Sequence, residues 1–367
     1  MNALDVYAGL TEGRARFLRV DELCRLAVQA GHLADPAADA GRPLKEKQHL
    51  ELAQGAFLAQ ILADPACGMH LCHAMLLPFA SSSQLEAFRK SGKASFPGAT
   101  LQRKGKASVL TMSNPGYLNA EDETTLAGME TAVDLALLDP ATEVCVLRGG
   151  TVTHRKHAGR RLFGAGINLT HLYQGKIRYL WYLIRDLGFV NKFFRGLALP
   201  DFSPEVNSVE KLWIAAVDGF AIGGHCQILL TMDYTIAAKD AYLTLPARKE
   251  GIVPGAADLR LPRFVGDRIA RQAVMAERRI DCDSAEGRMI CDEIAPPAKV
   301  DLAIEKAVEK LTGSGVVSAA SNRRAFRAGQ EPLDMFRRYM AVYAREQAHC
   351  HFSPALIANL EKNWKVK

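Results

Sequence analysis

No uninterrupted apolar run in the 367-residue sequence approaches the roughly 20 residues needed to span a bilayer, so no membrane segment is expected. The opening residues, MNALDVYAGLTEGRARF, lack the charged-then-apolar order of an export signal, and a cytoplasmic location is the expectation. Eight cysteines, Cys24, Cys67, Cys72, Cys145, Cys226, Cys282, Cys291 and Cys350, follow no repeated spacing. That pattern predicts free thiols rather than a disulfide framework. The nearest thing to a metal motif is ACGMHLCHAML, with Cys67, His70, Cys72 and His73, but its spacing is not a zinc pattern and its apolar setting reads as an ordinary helix. The adjacent His349, Cys350 and His351 cannot wrap one ion, so no metal site is expected. Internal repeats, low-complexity tracts, nucleic-acid modules and aromatic stacking platforms are all missing, which removes nucleic acid as an expected partner.

What is present is ordinary for a globular chain: 49% hydrophobic residues, 23% charged residues and a formal net charge of +6. Its length exceeds the usual single-domain size, so a core with appended segments is expected. Residues 1–100 carry helical periodicity, as in VDELCRLAVQAGHLA and KEKQHLELAQGAFLAQILAD, with a serine cap in SSSQLEAF. Residues 101–298 alternate between strand-like and helical stretches. Strands are predicted at Ala107–Met112, Glu143–Leu147, Lys211–Val217, Asp233–Ala238 and Tyr242–Leu245, with a helix through LAGMETAVDLALL. Interleaving of this kind implies an α/β fold with a mostly parallel sheet. Residues 299–367 turn helical again in AIEKAVEKLTG and MFRRYMAVYAREQAH.

The most informative stretch is WIAAVDGFAIGGHCQ, Trp213 to Gln227. It reads as an apolar strand, a glycine-bearing turn, and a helix starting near Gly223. A helix start aims unpaired N–H groups at a site that favours negative charge. A second, small-residue loop, FGAGIN at Phe163–Asn168, could bring its backbone to the same point. Two N–H groups converging from separate loops would stabilise the charge on a thioester oxygen as it becomes an enolate.

These two motifs, together with LPARKEGIVPGAA at Leu245–Ala257 and ERRIDCDSAEGRMICDEI at Glu277–Ile294, resemble the crotonase (enoyl-CoA hydratase/isomerase) superfamily from about Ala107 to Ile294. The resemblance implies a crotonase-like ββα spiral core with a helical N-terminal region and a C-terminal helical segment. It implies oxyanion-hole donors at Ile167 and Gly224, flanked by Gly166 and Gly223, and a homo-oligomer, trimer or hexamer. A residue without Cβ at 224 suits the close approach of a carbonyl.

The two glutamates that handle water in hydratases of this superfamily fall on Gln227 and Ala247, neither of which exchanges protons near neutral pH. Hydration is therefore not expected. With LNAED at Leu118–Asp122, INLTHLYQG at Ile167–Gly175 and EGIVPGAADLRLPRF at Glu250–Phe264, the chain is similar to a branch of oxygenases acting on (3,5-dihydroxyphenyl)acetyl-CoA. That branch implies O2 as co-substrate, no metal or flavin, coenzyme A only as part of the substrate, and an arylglyoxylate precursor of dihydroxyphenylglycine for antibiotic biosynthesis as product. By resemblance Gln227, Glu121 and Arg185 would meet the phenolic ring, with Asp186 an alternative to Arg185. Glu121 and Arg185 could equally be exposed helical charges.

Basic residues bunch at Arg148, Arg155, Lys156, Arg160 and Arg161, ahead of the FGAGIN loop. They suit coenzyme A phosphates, with Arg155 and Arg160 as candidates, or form a solvated loop. His225 is placed where a base would be useful, but successive helical residues point about 100° apart, so it and Gln227 are not expected to face one spot. Three classes stay open: a cofactor-independent dioxygenase of an arylacetyl-CoA; a non-redox thioesterase, decarboxylase or isomerase using the same enolate; and a catalytically idle CoA-ester-binding protein.

Overall fold

Strands rich in Val, Ile, Leu and Ala, bounded by turns, assemble the central layer of the molecule. In a computed structural model that describes residues 2–364, seven strands form one sheet in the order β1-β2-β3-β4-β7-β9-β12. These are β1 (Lys93–Phe96), β2 (Ala99–Lys104), β3 (Ala107–Met112), β4 (Val144–Gly149), β7 (Leu212–Val217), β9 (Tyr234–Ala238) and β12 (Glu293–Ala295). From β3 onward every pairing is parallel. Both faces of β4 and β7 are buried, which matches their near-continuous apolar sequences. A small second sheet joins β8 (Phe220–Ile222), β10 (Tyr242–Thr244) and β11 (Ile280–Asp281), and β5 (Leu197–Ala198) pairs with β6 (Ser208–Val209).

The predicted strands therefore stand, with ends shifted by one or two residues. The helix through LAGMETAVDLALL runs from Glu123 to Leu138, starts in a capping box on Asp122, and is buried along most of its length. The N-terminal region departs from expectation at its end. The sheet begins at Lys93, inside the stretch read as helical, because KASF and ATLQRK pair as an antiparallel hairpin around Pro97 and Gly98. Only every second residue of β1 is partly covered, so that strand carries almost no apolar signature.

The terminal regions do not stand apart from the core. Helices Leu52–Ala63 and Leu333–His351 pack against each other, and Arg337 donates to the Leu62 and Ala63 carbonyls that end the first of them. Arg19 from the N-terminal region reaches Glu130 at 2.7 Å, and the buried Lys192 holds Glu130 and Asp134 at 2.7 and 2.8 Å. One apolar cluster runs from Ala3 to Leu360 through the sheet. The ACGMHLCHAML stretch is indeed a helix, Pro65–Leu76. His70 bonds the Tyr7 hydroxyl at 2.7 Å and His73 bonds the Leu199 carbonyl at 2.9 Å. All eight cysteines are free thiols. Among the described residues no helix is long and apolar enough to cross a membrane.

Candidate active site

Two loops zip together at the carboxyl end of the sheet. Beyond β4 the chain passes through Phe163–Gly166, and its backbone pairs with β8: Gly164 N–H donates to Phe220 O at 3.2 Å, and Ile222 N–H to Gly164 O at 3.0 Å. The same loop is tied on its other side. Glu121 N–H donates to Gly166 O at 2.7 Å and Asn168 N–H to Glu121 O at 2.8 Å, so Glu121 and Ile167 lie in register.

This double pairing brings Gly166 onto the start of the helix Gly224–Leu229. A Cβ on Gly166 would lie 2.8 Å from Ile222 O and 3.2 Å from Gly224 N, and its φ of +76° independently calls for glycine. Gly223 N–H is spent on Thr244 O at 2.8 Å. Among the described residues, neither Ile167 N–H nor Gly224 N–H has an acceptor. Ile167 and Gly224 line one cavity together with Gly223, Gln227, Arg185, Asp186, Trp181, Tyr182, Ala247, Glu250 and Tyr343. Two unengaged backbone donors on residues that line a single cavity can together hold an oxygen that gains negative charge.

Arg185 organises the polar wall. Its Nε and Nη2 bind the Glu121 carboxylate at 2.9 and 2.8 Å, Nη1 binds Asp186 Oδ1 at 2.7 Å and Gln227 Oε1 at 2.6 Å, and Nη2 also reaches Gly224 O at 2.9 Å. Gln227 Nε2 closes the ring to Asp186 Oδ1 at 3.1 Å. All four side chains are buried, so neither Glu121 nor Arg185 is an exposed helical charge. Burial pulls the guanidinium down, but Glu121 and Asp186 outweigh it and hold the charge in place. Burial raises the Asp186 carboxyl above its ordinary value, with Arg185 opposing. Both Arg185 and its alternative Asp186 face the cavity.

The remaining candidates lie elsewhere. Glu121 stands behind Arg185 and does not itself line the cavity. A Cβ on Gly224 would meet Glu121 Oε2 at 2.8 Å and Arg185 Nη2 at 2.9 Å, so the glycine is needed for this packing as well. Gly166 is likewise one layer back. Arg155 and Arg160 occupy an exposed loop closed by the Thr151–Arg161 bridge and are not on the cavity wall. The basic bunch divides in two: Arg148 and Arg161 are spent on Asp301 at 2.6 and 3.3 Å, whereas Arg155, Lys156 and Arg160 form no ion pair among the described residues.

His225 and Gln227 do face different ways. His225 turns inward, its Nδ1 accepting Gly166 N–H at 2.9 Å. Burial takes it down to about 4, with Glu121 pulling it up and Arg185 pushing it down, so it is a neutral imidazole near neutral pH. Sequence reasoning assigned nothing to Glu250, Trp181 and Tyr182. Trp181 Nε1 and the Tyr182 hydroxyl are buried without partners among the described residues. Of the three, only Glu250 lies in the motifs LPARKEGIVPGAA and EGIVPGAADLRLPRF, which were singled out for other residues.

The enoyl-CoA hydratase/isomerase family model matches residues 102–352. Over 95% of the chain the sequence is 46% identical to the (3,5-dihydroxyphenyl)acetyl-CoA 1,2-dioxygenase of Amycolatopsis orientalis, covering 81% of that protein. It is 28% identical over 63% of the chain to a short-chain-enoyl-CoA hydratase of Clostridium acetobutylicum, covering 81% of that protein. The crystal structure of an enoyl-CoA hydratase from Mycobacterium avium subsp. paratuberculosis K-10 superposes with a TM-score of 0.60 at 18% identity, covering 74% of this chain and 97% of that one. With a family model, a sequence and a fold that agree, the chain belongs to the enoyl-CoA hydratase/isomerase family, the crotonase superfamily.

Proposed function

We propose that the protein is a dioxygenase that converts (3,5-dihydroxyphenyl)acetyl-CoA and O2 to (3,5-dihydroxyphenyl)glyoxylate and free coenzyme A, without metal or flavin. The observation that carries this reading is that Ile167 and Gly224, both with unengaged N–H groups, line one cavity. The likeness to the Amycolatopsis orientalis enzyme selects the chemistry.

The thioester oxygen sits between the two amides, each worth roughly 3 kcal/mol to the developing enolate by analogy with other oxyanion holes. Gln227 and Ala247, which stand where hydratases of the family carry their paired glutamates, supply no carboxylate pair for water addition. Conjugated to a dihydroxyphenyl ring, it is electron-rich enough to pass one electron to dioxygen. Recombination of the two radicals forms a C–O bond at the α-carbon. The resulting peroxide attacks the thioester carbonyl and expels the thiolate of coenzyme A. O–O cleavage with loss of the second α-hydrogen then yields the α-keto acid, a precursor of dihydroxyphenylglycine. The protein supplies binding, exclusion of water and the amide pair, and the substrate supplies the electrons.

In this scheme Asp186 and Gln227 present polar groups to the ring hydroxyls, Arg185 holds both in place, and Glu121 fixes the guanidinium. Arg155 and Arg160 serve the coenzyme A phosphates from the exposed loop. A homo-oligomer, trimer or hexamer, is part of the reading. Val317 and Phe326, 82% and 65% exposed on the helix Val316–Gln330, support it, and sedimentation equilibrium measures it.

The test is an oxygen electrode. Protein freed of metal by chelation and of flavin by spectrum should consume one O2 per coenzyme A released from the dihydroxyphenyl substrate. Thiol release that continues under strict anaerobiosis would instead identify a non-redox thioesterase, and no turnover in air would leave a CoA-ester-binding protein.

A further inference from the structure

We propose that Glu250 accepts the α-proton of the thioester, making it a further catalytic residue of this site. The inference rests on the enolate reading above. Glu250 ends the short helix Ala247–Glu250, which Gly251 terminates at φ +91°. Ala247, one turn earlier, lines the same cavity with only a methyl, leaving room for the longer side chain beside it. Glu250 is 4% exposed, and among the described residues its carboxyl makes no hydrogen bond and no ion pair. A buried, unpartnered carboxyl on the wall of the cavity that Ile167 and Gly224 also line is costly unless a ligand uses it.

The other candidate bases in and around the cavity are occupied. Glu121 and Asp186 are both held by Arg185, His225 has its accepting nitrogen on Gly166, and the amide of Gln227 takes no proton. Burial keeps the phenols of Tyr182 and Tyr343 protonated by raising them. Burial likewise lifts Glu250 to about 8, with Lys249 opposing, so its carboxylate is an unusually strong base for a side chain of this kind. The charged and titratable groups around it are Lys249 on its own turn, Tyr182, Arg185 and Asp186 from the helix Tyr179–Leu187, and Tyr343 from the helix Leu333–His351.

The step balances simply. The α-C–H bond breaks, its electron pair becomes the enolate held by Ile167 and Gly224, and the proton passes to a Glu250 oxygen. That proton later neutralises the departing thiolate, which restores the carboxylate.

The experiment is exchange of the α-hydrogens of (3,5-dihydroxyphenyl)acetyl-CoA into D2O under strict anaerobiosis, followed by mass spectrometry. Wild-type protein should exchange them, and the rate should rise with pH through about 8. Glu250→Gln should lose on the order of 100-fold or more in exchange, while binding the thioester within a few-fold of wild type. If wild type exchanges and Glu250→Gln keeps pace, this inference falls and the enolate reading survives; if wild type fails to exchange, the enolate reading itself falls. Should Glu250→Gln not fold, Glu250→Asp decides the matter. A shifted pH limb of exchange supports the assignment, and an unmoved limb overturns it.

Discussion

Arg185→Met removes the centre of the buried polar wall while keeping a side chain of similar reach, and its cost can be worked from the contacts. The wild-type guanidinium compensates two carboxylates, Glu121 at 2.8 Å and Asp186 at 2.7 Å, and satisfies Gln227 Oε1 and Gly224 O. Breaking a buried pair by deleting one partner costs about 3–5 kcal/mol, because the remaining charge is left uncompensated. The cost should depend on pH, and the sign follows from Asp186. Burial already raises its carboxyl in the wild type, with Arg185 the chief opposing influence. Without the arginine the folded value climbs further, so the folded variant retains a proton that the unfolded chain has released above about pH 4. Stability of the variant then falls as pH rises from about 4 toward that raised value, by up to about 1.4 kcal/mol per pH unit. Urea unfolding at pH 5.0, 6.5 and 8.0 measures this. The deficit relative to wild type should widen with pH, and adding Asp186→Asn should flatten it. A deficit that is the same at all three values, or below about 1 kcal/mol at pH 8.0, would refute the account of Arg185 as the counter-charge of this wall.

Three further outcomes can be checked with the same protein. Gly166→Ala places a Cβ 2.8 Å from Ile222 O at a φ of +76°; it should lower stability by about 1–3 kcal/mol and depress oxygen uptake more than it weakens thioester binding, as read by an oxygen electrode and titration calorimetry. His225→Leu orphans the buried Gly166 N–H, costing about 1–3 kcal/mol in urea unfolding. Because burial depresses His225 to about 4, wild-type stability should drop as pH falls from 6.5 through 4, and the variant should lose less over that window. The double variant Arg155→Ala/Arg160→Ala should raise KM for the CoA thioester with kcat unchanged, each exposed charge contributing about 1 kcal/mol or less, or up to about fivefold.

The strand-turn-helix unit at Trp213–Gln227 was legible in sequence because apolar residues, a glycine turn and a renewed apolar helix follow one another without interruption, and the structure has β7, β8 and the helix from Gly224 there. The hairpin β1–β2 was not legible. β1 is short and exposed and β2 buries only Ala99 and Leu101, so the two strands share their polar composition with the helices before them. Nor could the sequence show that Arg337 would reach Leu62, a pairing across most of the chain set by packing alone. Within the site, Gln227 and Ala247 were noticed for what they lack. Glu250 escaped notice because a glutamate after arginine and lysine looks like a solvated charge run. Burial, the property that distinguishes it from Lys249, belongs to the tertiary fold. Glu121 shows the converse: its tie to the guanidinium of Arg185, 64 residues away, is set by the tertiary fold and carries no local sequence signal.

Counting donors in that wall shows what kind of ring substituent it accepts. Arg185 has five N–H bonds, and all five are used on Glu121, Asp186, Gln227 and Gly224 O. Gln227 must turn its oxygen to Arg185, which only donates, and its nitrogen to Asp186, which accepts. One Gln227 N–H is left over, whereas Asp186, whose Oδ1 accepts from both Arg185 and Gln227, keeps both lone pairs of Oδ2 free. The wall is thus richer in acceptors than in donors, and a ring hydroxyl gains most by donating its proton to Asp186. A substituent that donates should be held, and one of similar size that only accepts should not. Anaerobic competition binding separates the two: the 3,5-diaminophenyl thioester should bind within about tenfold of the dihydroxy substrate, and the 3,5-difluorophenyl thioester should lose about 1.5–3 kcal/mol, roughly 10- to 150-fold, for each hydroxyl that met a charged acceptor. Equal binding of the difluoro compound would mean that the ring lies away from Asp186, and that the network around Arg185 serves to hold Gly224 in place rather than to select a substrate.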